Sequence, residues 1–299
     1  MSIVKSFSVG DGDMFYIKHG SDNFTVIDCY MHEDNQDDII SEIINESKNK
    51  SIHRFISTHP DEDHIKGLKE YRKRVGITNF YCVENEAIKN DETEDFKEYC
   101  DLRDGKQHFY IYKGCSRRWM NKEGEDNDGV QRGSSGINIL WPKINNKYYK
   151  EALEKAKKGE SPNNISPIIK YSLENSVNIL WFGDLEKDFM ESIKDDIEIE
   201  EADIIFAPHH GRDSGKIPNE ILNKIKPKII VIGEAPSNNL NYYNGYNTIT
   251  QLSAGDIIFE CESSKVNIYV SKDNYSVAFL KNENIDNNAY GKYIGTLEI

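Results

Sequence analysis

Two histidines and three acidic residues fall within the six positions from His59 to His64. They follow the apolar run Phe55-Ile56-Ser57, which has the composition of a strand end. A divalent metal needs deprotonated oxygen or neutral imidazole ligands that converge on one point, and a loop leaving a strand can supply them. The spacing therefore predicts a metal-binding loop, with a solvated polar loop as the alternative.

Three further polar clusters lie beside apolar runs. Asp184 follows Leu180-Trp181-Phe182-Gly183, the pair His209-His210 follows Ile204-Ile205-Phe206-Ala207-Pro208, and Asn163-Asn164 precedes an isoleucine-rich run. Singly, each has another reading: a helix cap, surface imidazoles and a turn, respectively. Because four such clusters occur at strand ends in one chain, we interpret them jointly as parts of one metal site.

Hydrophobic patterns predict the elements that carry these clusters. Isoleucines 39, 40, 43 and 44 have the spacing of an amphipathic helix over 37–49, and helices are also predicted over about 85–105 and 147–158. Residues 122–136, rich in Gly, Asp, Asn and Ser, are predicted to form a mobile loop. Strands are predicted over 14–17, 24–28, 53–57, 137–142, 168–173, 177–182, 202–207, 228–232, 257–260, 266–270 and 275–279. This order favours a two-layer sheet core covered by helices.

The order of the motifs resembles that of the metallo-β-lactamase-fold hydrolases. The similarity is closest to the soluble domain at the end of ComEC-type competence DNA-uptake proteins, and it covers about residues 3–280. The motifs that carry it are Val9-Gly10-Asp11-Gly12-Asp13, Thr58-His59-Pro60-Asp61-Glu62-Asp63-His64, Ile139-Leu140-Trp141-Pro142, Asn163-Asn164-Ile165-Ser166, Phe182-Gly183-Asp184 and Pro208-His209-His210-Gly211. The resemblance implies an α/β fold, a four-layer αββα sandwich. It also implies a single domain over 1–299 with a variable charged insert at about 85–160.

The resemblance implies a shallow site at one edge of the sandwich for one or two divalent ions. The metal ligands implied by motif position are His59, Asp61, Asp63, His64, Asp184, His210 and Asn163. His59 and Asp61 would serve one ion, and Asp63, His64 and His210 would serve the other. Asp184 would bridge the two ions. His210 is favoured as the ligand over His209, which would instead contact a substrate oxygen. Asp13 and Asp28 would support the metal loop without binding the ion.

The chain departs from the family pattern at two ligand positions. Many members have histidine where Asp61 stands, and a further histidine midway along the chain. No histidine lies between His108 and His209, so that ligand would be either absent or replaced by Asn163 or Asn164. An amide oxygen is a weaker, neutral donor, which favours an oxygen-seeking ion such as manganese over zinc, although either metal fits the set.

The implied mechanism uses a metal-activated hydroxide held in line by Asp63, with His209 on the substrate oxygen, so these two residues are the predicted catalytic residues. The sequence therefore predicts a metal-dependent hydrolase, favouring a phosphodiesterase or nuclease that acts on a nucleotide or a short single-stranded substrate. The alternatives are an ester, lactone or thioester hydrolase with the same site, or a binding or scaffold protein with weakened catalysis.

Charge and composition limit the partners. The net charge of −14 repels polyanions, so an extended duplex DNA track is disfavoured, whereas a small molecule, nucleotide or short single strand is compatible. The sequence contains no apolar run near 18 residues, and no secretory signal at its amino terminus. Its five cysteines form no C-x-x-C motif. We therefore expect a cytoplasmic protein with free thiols and no membrane partner, while the sequence identifies no protein partner.

One basic motif is not part of the implied site. Arg117-Arg118-Trp119 combines two cations with an aromatic ring. We interpret it as a solvated loop, with contact to a phosphate or a nucleobase as the alternative.

Overall fold

The computed structural model describes residues 1–299 as two β-sheets covered by helices. Seventeen strands, numbered along the chain, are β1 (Ser2–Ser6), β2 (Phe15–Lys18), β3 (Asn23–Ile27), β4 (Ile52–Ile56), β5 (Phe80–Cys82), β6 (His108–Tyr110), β7 (Gly124–Glu125), β8 (Gln131–Arg132), β9 (Ile137–Trp141), β10 (Ile168–Ser172), β11 (Asn178–Trp181), β12 (Ile204–Phe206), β13 (Ile229–Ile232), β14 (Thr248–Thr250), β15 (Ile257–Glu262), β16 (Lys265–Val270) and β17 (Lys292–Glu298). The α-helices are α1 (Gln36–Ser47), α2 (Glu62–Ile65), α3 (Leu68–Arg74), α4 (Glu94–Arg103), α5 (Lys147–Lys157), α6 (Lys187–Ile193), α7 (Asn219–Ile225) and α8 (Gln251–Ala254).

The two large sheets each combine antiparallel and parallel pairs. Nine strands form the first sheet in the order β17-β16-β15-β1-β2-β3-β4-β5-β6, in which β3 to β6 run parallel to one another. Six strands form the second in the order β14-β13-β12-β11-β10-β9, in which β11 to β14 are parallel. The range predicted as a charged insert, 85–160, contributes β6 to the first sheet and β9 to the second.

Side chains alternate between two buried layers, as expected for strands covered on both faces. On β4, Phe55 packs outward against the cluster that includes α1, α3 and α4, whereas Ile56 packs inward between the sheets. Between the sheets, Phe15 meets Phe206 with ring centroids 4.8 Å apart, and Trp181 stacks on Phe206 at 5.1 Å. Helices α5, α6 and α7 cover the far face of the second sheet. The predicted four-layer αββα arrangement is confirmed.

The fold brings the predicted polar clusters to one edge. Parallel strands end at the same edge of a sheet, so the turns after β3 and β4 in one sheet, and after β11 and β12 in the other, lie side by side. Those turns carry Asp28, the 59–64 loop, Asp184 and the 209–210 pair.

Two predictions of local structure are wrong. Residues 275–279 form no strand; Tyr275 and Phe279 pack partly against the inter-sheet core, and β17 takes the place beside β16. This side-chain burial produced the alternating pattern. Within 122–136, β7 and β8 form a hairpin, because the Asp126 carboxylate accepts hydrogen bonds from the backbone N–H groups of Asp128 and Val130 at 2.9 Å.

All five cysteines are free, as predicted. None of the eight helices combines the length and the apolar character needed to cross a bilayer.

Candidate metal centre

The loop after β4 is anchored by a buried aspartate from the neighbouring strand. Asp28 follows β3 with a positive φ of 56°, and it is 1% exposed. One carboxylate oxygen accepts from the backbone N–H of Thr58 at 2.7 Å; the other accepts from the Thr58 hydroxyl at 2.7 Å and from Nδ1 of His64 at 2.9 Å. A carboxylate on Nδ1 leaves the Nε2 lone pair of His64 free for a metal.

His59 is oriented in the same way by a hydroxyl group. Its Nδ1 lies 3.2 Å from Oγ of Ser166, and that hydroxyl also accepts from the backbone N–H of Asp184 at 3.2 Å. Its Nε2 is buried and has no hydrogen-bond partner. The nearest carboxylate oxygens to that nitrogen belong to Asp61 and Asp184, both at 3.9 Å.

The turn that presents Asp184 requires glycine before it. Gly183 has a φ of +52°, and a Cβ built there would lie 2.7 Å from the Ser166 hydroxyl oxygen. Asp184 itself is 2% exposed, and its Oδ1 lies 3.0 Å from Nε2 of His64 without the geometry of a hydrogen bond. Its Oδ2 lies 3.6 Å from Nε2 of His210 and 3.7 Å from Nε2 of His209.

The two adjacent histidines have left-handed backbones, with φ of 54° at His209 and 55° at His210. The backbone N–H of His209 donates to the carbonyl of Gly183 at 3.0 Å, so this turn is tied to the one that carries Asp184. The ring of His210 is buried, whereas that of His209 is partly exposed and contacts the Ser214 hydroxyl at 3.0 Å. Consecutive positive φ values turn both rings toward Asp184.

Asp13 completes the compact part of the cluster. One ligand atom each from Asp13, His64, Asp184 and His210 lies within 4.8 Å of the others. The Asp13 carboxylate is 3.2 Å from Nδ1 of His210, whose Nε2 contacts Oδ2 of Asp63 at 3.2 Å. The backbone N–H of Asp13 donates to the carbonyl of Asp63 at 3.1 Å, so the glycine-rich turn packs directly on the metal loop.

The electrostatics of the cluster favour a bound cation. Burial would lower the pKa of His64, but the carboxylates of Asp184 and Asp28 outweigh it and hold the pKa well above its usual value. Burial likewise opposes the shift at His210, where Asp184 and Asp13 raise the pKa to about 10. Burial and the neighbouring His64 lower the pKa of His59 to about 4. The strongly negative field that favours protons on these two rings would also stabilise a divalent ion in place of the protons.

Unpartnered buried atoms provide the test of whether a metal fits. His59 Nε2, His64 Nε2 and Asp184 Oδ1 are all buried without a hydrogen-bond partner. Leaving buried polar atoms unpaired is costly, and three that belong to one cluster indicate a missing ligand. Imidazole nitrogens with a carboxylate oxygen are the donor set of zinc and manganese sites. The residues present therefore fit a divalent metal.

One predicted ligand, Asp61, has a charged partner, and one of the two candidate asparagines is hydrogen-bonded to another residue. Oδ1 of Asp61 lies 3.1 Å from Nζ of Lys89, an ion pair in which both side chains are partly exposed. Asn164 binds Glu186, accepting from its backbone N–H and donating to its carboxylate, which leaves Asn163 as the asparagine without a side-chain hydrogen bond. Asn163 is buried in the 3-10 turn Asn163–Ile165, just before Ser166.

Sequence reasoning missed two participants: Ser166, which orients His59, and Lys89, which pairs with Asp61. Asp13, which was predicted to support the metal loop, also places a carboxylate oxygen within the four-residue group. The glycines on both sides of Asp11 were a signal for Asp13, since they predict a tight turn next to an acidic residue. Nothing in the sequence separates Lys89 from the other lysines.

A family model described as Metallo-beta-lactamase superfamily matches residues 8–131, which is less than half of the chain. The matched part includes Asp13, Asp28 and the loop His59–His64. This part of the chain is similar to that superfamily. No curated protein matches the sequence.

Several solved structures are similar at low identity. CmlA, a diiron beta-hydroxylase from Streptomyces venezuelae, aligns at 10% identity and a TM-score of 0.40 over 78% of this chain and 44% of its own. A long form RNase Z from yeast aligns at 10% identity and a TM-score of 0.40, over 83% of this chain and 40% of its own. Isothiocyanate hydrolase from Delia radicum gut bacteria aligns at 11% identity and a TM-score of 0.42, over 84% of this chain and 95% of its own. The chain thus spans less than half the length of the first two proteins.

Proposed function

We propose that this protein is a metal-dependent hydrolase that cleaves a phosphodiester bond in a nucleotide or a short single-stranded nucleic acid. The observation that carries the proposal is the convergence of unpartnered, buried ligand atoms from His59, His64 and Asp184. When bound there, a divalent ion would lower the pKa of a water molecule and polarise a phosphoryl oxygen. The motif resemblance to ComEC-type domains supports a phosphodiester substrate.

The surrounding residues have separate roles in this proposal. Asp28 holds the imidazole of His64 in the tautomer that leaves Nε2 free. The carboxylate of Asp13 lies 3.2 Å from Nδ1 of His210 and adds negative charge beside that ring. The Asp63 side chain is 30% exposed, so its carboxylate can accept a hydrogen bond from a water molecule at the open side of the site and orient it.

His209 is suited to contact the substrate. Burial lowers the pKa of His209, so its imidazole is neutral near pH 7. If the Ser214 hydroxyl donates to Nδ1, Nε2 retains its proton and can donate to a substrate oxygen. This hydrogen bond would stabilise charge that develops on the oxygen during hydrolysis.

Lys89 favours an anionic substrate over a neutral ester. Its ammonium group lies beside Asp61 at the mouth of the site, next to a cavity of about 270 Å³ that also borders Pro60 and Ser161. A phosphodiester carries a negative charge that this ammonium can contact, whereas a lactone or thioester carries none.

The test compares two substrates with two metals. Bis-p-nitrophenyl phosphate and a chromogenic lactone are each supplied with manganese and with zinc, and Asp184→Asn is the inactive control. We expect metal-dependent turnover of the phosphodiester by the parent protein. Turnover of the lactone alone would exclude the phosphodiesterase and support the ester hydrolase.

A second candidate is a binding protein with the same fold and weakened catalysis. The ion pair between Asp61 and Lys89 favours it, because it engages one of the expected ligands of the first ion. Metal analysis after purification without chelator separates the candidates. Less than about half an equivalent per chain, not restored by manganese or zinc, would favour the binding protein.

A further inference from the structure

A second polar cavity lies at the edge of the nine-stranded sheet opposite the metal centre. It has a volume of about 340 Å³, and its lining includes Arg54, Arg117 and Arg118 but no acidic residue. Its wall also contains Ile52, the first residue of β4, and Asn79, which precedes β5. The metal loop follows the other end of β4. His59 is five positions after Arg54, which corresponds to roughly 16 Å of extended chain.

Arg54 is a buried cation without an anionic partner. It is 3% exposed, and no carboxylate oxygen lies within 4.0 Å of it. Its Nη atoms donate only to neutral oxygens, the hydroxyls of Thr25 (3.1 Å) and Ser135 (3.3 Å), the side-chain amide of Asn23 (3.4 Å) and the carbonyl of Trp119 (3.1 Å). Its Nε has no partner. Buried charges are normally paired, so this guanidinium lacks a counter-ion.

The other two arginines are held by aromatic rings and have no carboxylate partner. The guanidinium of Arg117 lies 4.8 Å from the ring centroid of Phe109, and that of Arg118 lies 5.0 Å from the ring of Trp119. Arg118 also donates to the carbonyl of Glu125 at 2.8 Å. Stacking restricts the motion of both groups, which reduces the entropy lost when they bind a ligand.

The positive charges around the cavity repel one another. Burial lowers the pKa of Arg54, and the nearby Arg117 lowers it further, against an opposing effect of Tyr81. Three guanidinium groups without carboxylates around one cavity are unexpected in a chain with a net charge of −14. A bound anion would offset this repulsion, and the hydroxyl of Ser116, which lines the cavity, could donate to one of its oxygens.

We infer that this cavity is a binding site for a phosphate-bearing small molecule of about the size of a mononucleotide. Guanidinium forks match the spacing of phosphate oxygens, and three of them suit the double charge of a phosphate monoester better than the single charge of a carboxylate. The volume excludes a nucleic-acid duplex. The site is separate from the metal centre and does not depend on the proposed hydrolysis. The Arg117-Arg118-Trp119 motif thus takes the phosphate-binding role that we considered the alternative.

The experiment is isothermal titration calorimetry on the full chain. A chelator keeps the metal centre free of ions, so the charge that remains there is the negative charge of its carboxylates. Inorganic phosphate and AMP are the probes, and adenosine is the uncharged reference. We expect both phosphates to bind and adenosine not to bind. The double variant Arg117→Gln, Arg118→Gln should weaken AMP binding roughly tenfold or more, since charged hydrogen bonds are lost from exposed side chains that the fold does not need.

Arg72→Gln is the matched control, because Arg72 is an arginine on α3 whose partner is the carboxylate of Glu98. It should bind AMP like the parent. Thermal melting provides a second measurement: phosphate should raise the melting temperature of the parent and of Arg72→Gln but not of the double variant. Absence of phosphate binding by the parent, or binding that the double variant retains unchanged, would overturn the assignment.

Discussion

Asp184 is the residue on which the geometry of the metal centre depends, because its two carboxylate oxygens face four imidazole rings. The distances run from 3.0 Å to His64 up to 3.9 Å to His59. Burial would raise the pKa of Asp184, but His64 and His210 outweigh it and hold the pKa well below its usual value. The carboxylate is therefore ionised at neutral pH, and it is available to a cation.

Asp184→Asn should abolish most of the activity while the fold is retained. The amide keeps the shape of the side chain but loses the negative charge, so turnover of the phosphodiester should fall by roughly a hundredfold or more. Circular dichroism should show an unchanged spectrum. Asp203→Asn is the control, since that carboxylate pairs with Lys228 away from the cluster. Turnover at the parent's rate would show that Asp184 does not hold the metal.

Lys89→Met should weaken the use of anionic substrates. Because the ammonium group would contact the substrate phosphate, kcat/KM for bis-p-nitrophenyl phosphate should fall roughly tenfold. Lys73→Met is the control, because Lys73 is an exposed lysine that pairs with Glu70 on the same helix. Equal kcat/KM values for the two variants would remove Lys89 from the substrate site.

At the scale of elements, the site is formed by turns that follow parallel strands. The turn after β11 carries Gly183 and Asp184, the turn after β12 carries the adjacent histidines, and a backbone hydrogen bond of 3.0 Å joins the two. Ser166 links the same region to His59. A change in one turn is therefore transmitted to ligands on the others.

Gly183→Ala tests this coupling. The left-handed backbone costs about 1–2 kcal/mol for a residue with a Cβ, and that Cβ would also displace the Ser166 hydroxyl. Gly76→Ala is a matched control, with a φ of +87° and no atom within 4 Å of the added Cβ. We expect Gly183→Ala to lose more free energy of unfolding, measured in urea, and to bind metal more weakly. Equal effects of the two substitutions would contradict the close packing.

The β2–β3 hairpin contains a buried histidine that makes the stability of the fold depend on pH. His19 is 3% exposed, and its Nε2 lies 2.9 Å from the Thr25 hydroxyl. Burial holds the pKa of His19 well below its ordinary value, with further lowering by Arg54 and Lys50. The folded protein therefore keeps this ring neutral, whereas the unfolded chain protonates it below about pH 6.5. The folded state is favoured fully above that pH, and its free energy of unfolding decreases as the pH falls below it.

The free energy of unfolding should therefore decrease by about 1.4 kcal/mol more between pH 7.5 and 5.5 in the parent than in His19→Gln. Urea unfolding in phosphate-free buffer at the two pH values measures the difference. A parent and variant with the same pH dependence would show that His19 is protonated in the folded state.

At the scale of the whole molecule, the two sheets form one continuous apolar core that includes strands of both. The candidate metal centre lies where the edges of the sheets meet, and the residues that could bind an ion come from both of them. An ion there would connect the sheets across this edge. Binding to the folded protein alone stabilises it by mass action.

Metal should therefore raise the melting temperature. At an ion concentration about a hundred times the Kd, we expect a rise on the order of 5 °C relative to protein in chelator. Differential scanning calorimetry with manganese and with zinc measures it. Asp184→Asn should show little of the rise, and a parent protein that melts at the same temperature with and without metal would contradict a metal that joins the two sheets.

The sequence by itself determined the local features. The isoleucine spacing over 37–49 was sufficient for α1, and the short β-branched runs were sufficient for most strands, because each pattern reflects burial within one element. The motif order predicted the four-layer fold and the clusters that gather at its edge. It failed for Tyr275 and Phe279, whose partial burial against the core imitates the alternation of a strand.

Only the tertiary structure decided which side chains meet. Asp61 pairs with Lys89, Asp13 reaches His210, and Arg54 is buried beside Arg117 without a carboxylate. The partners in these pairs are from 28 to 197 residues apart in the chain, as their numbers show. Local patterns record whether a residue is buried, but the charge that faces it depends on how distant segments pack.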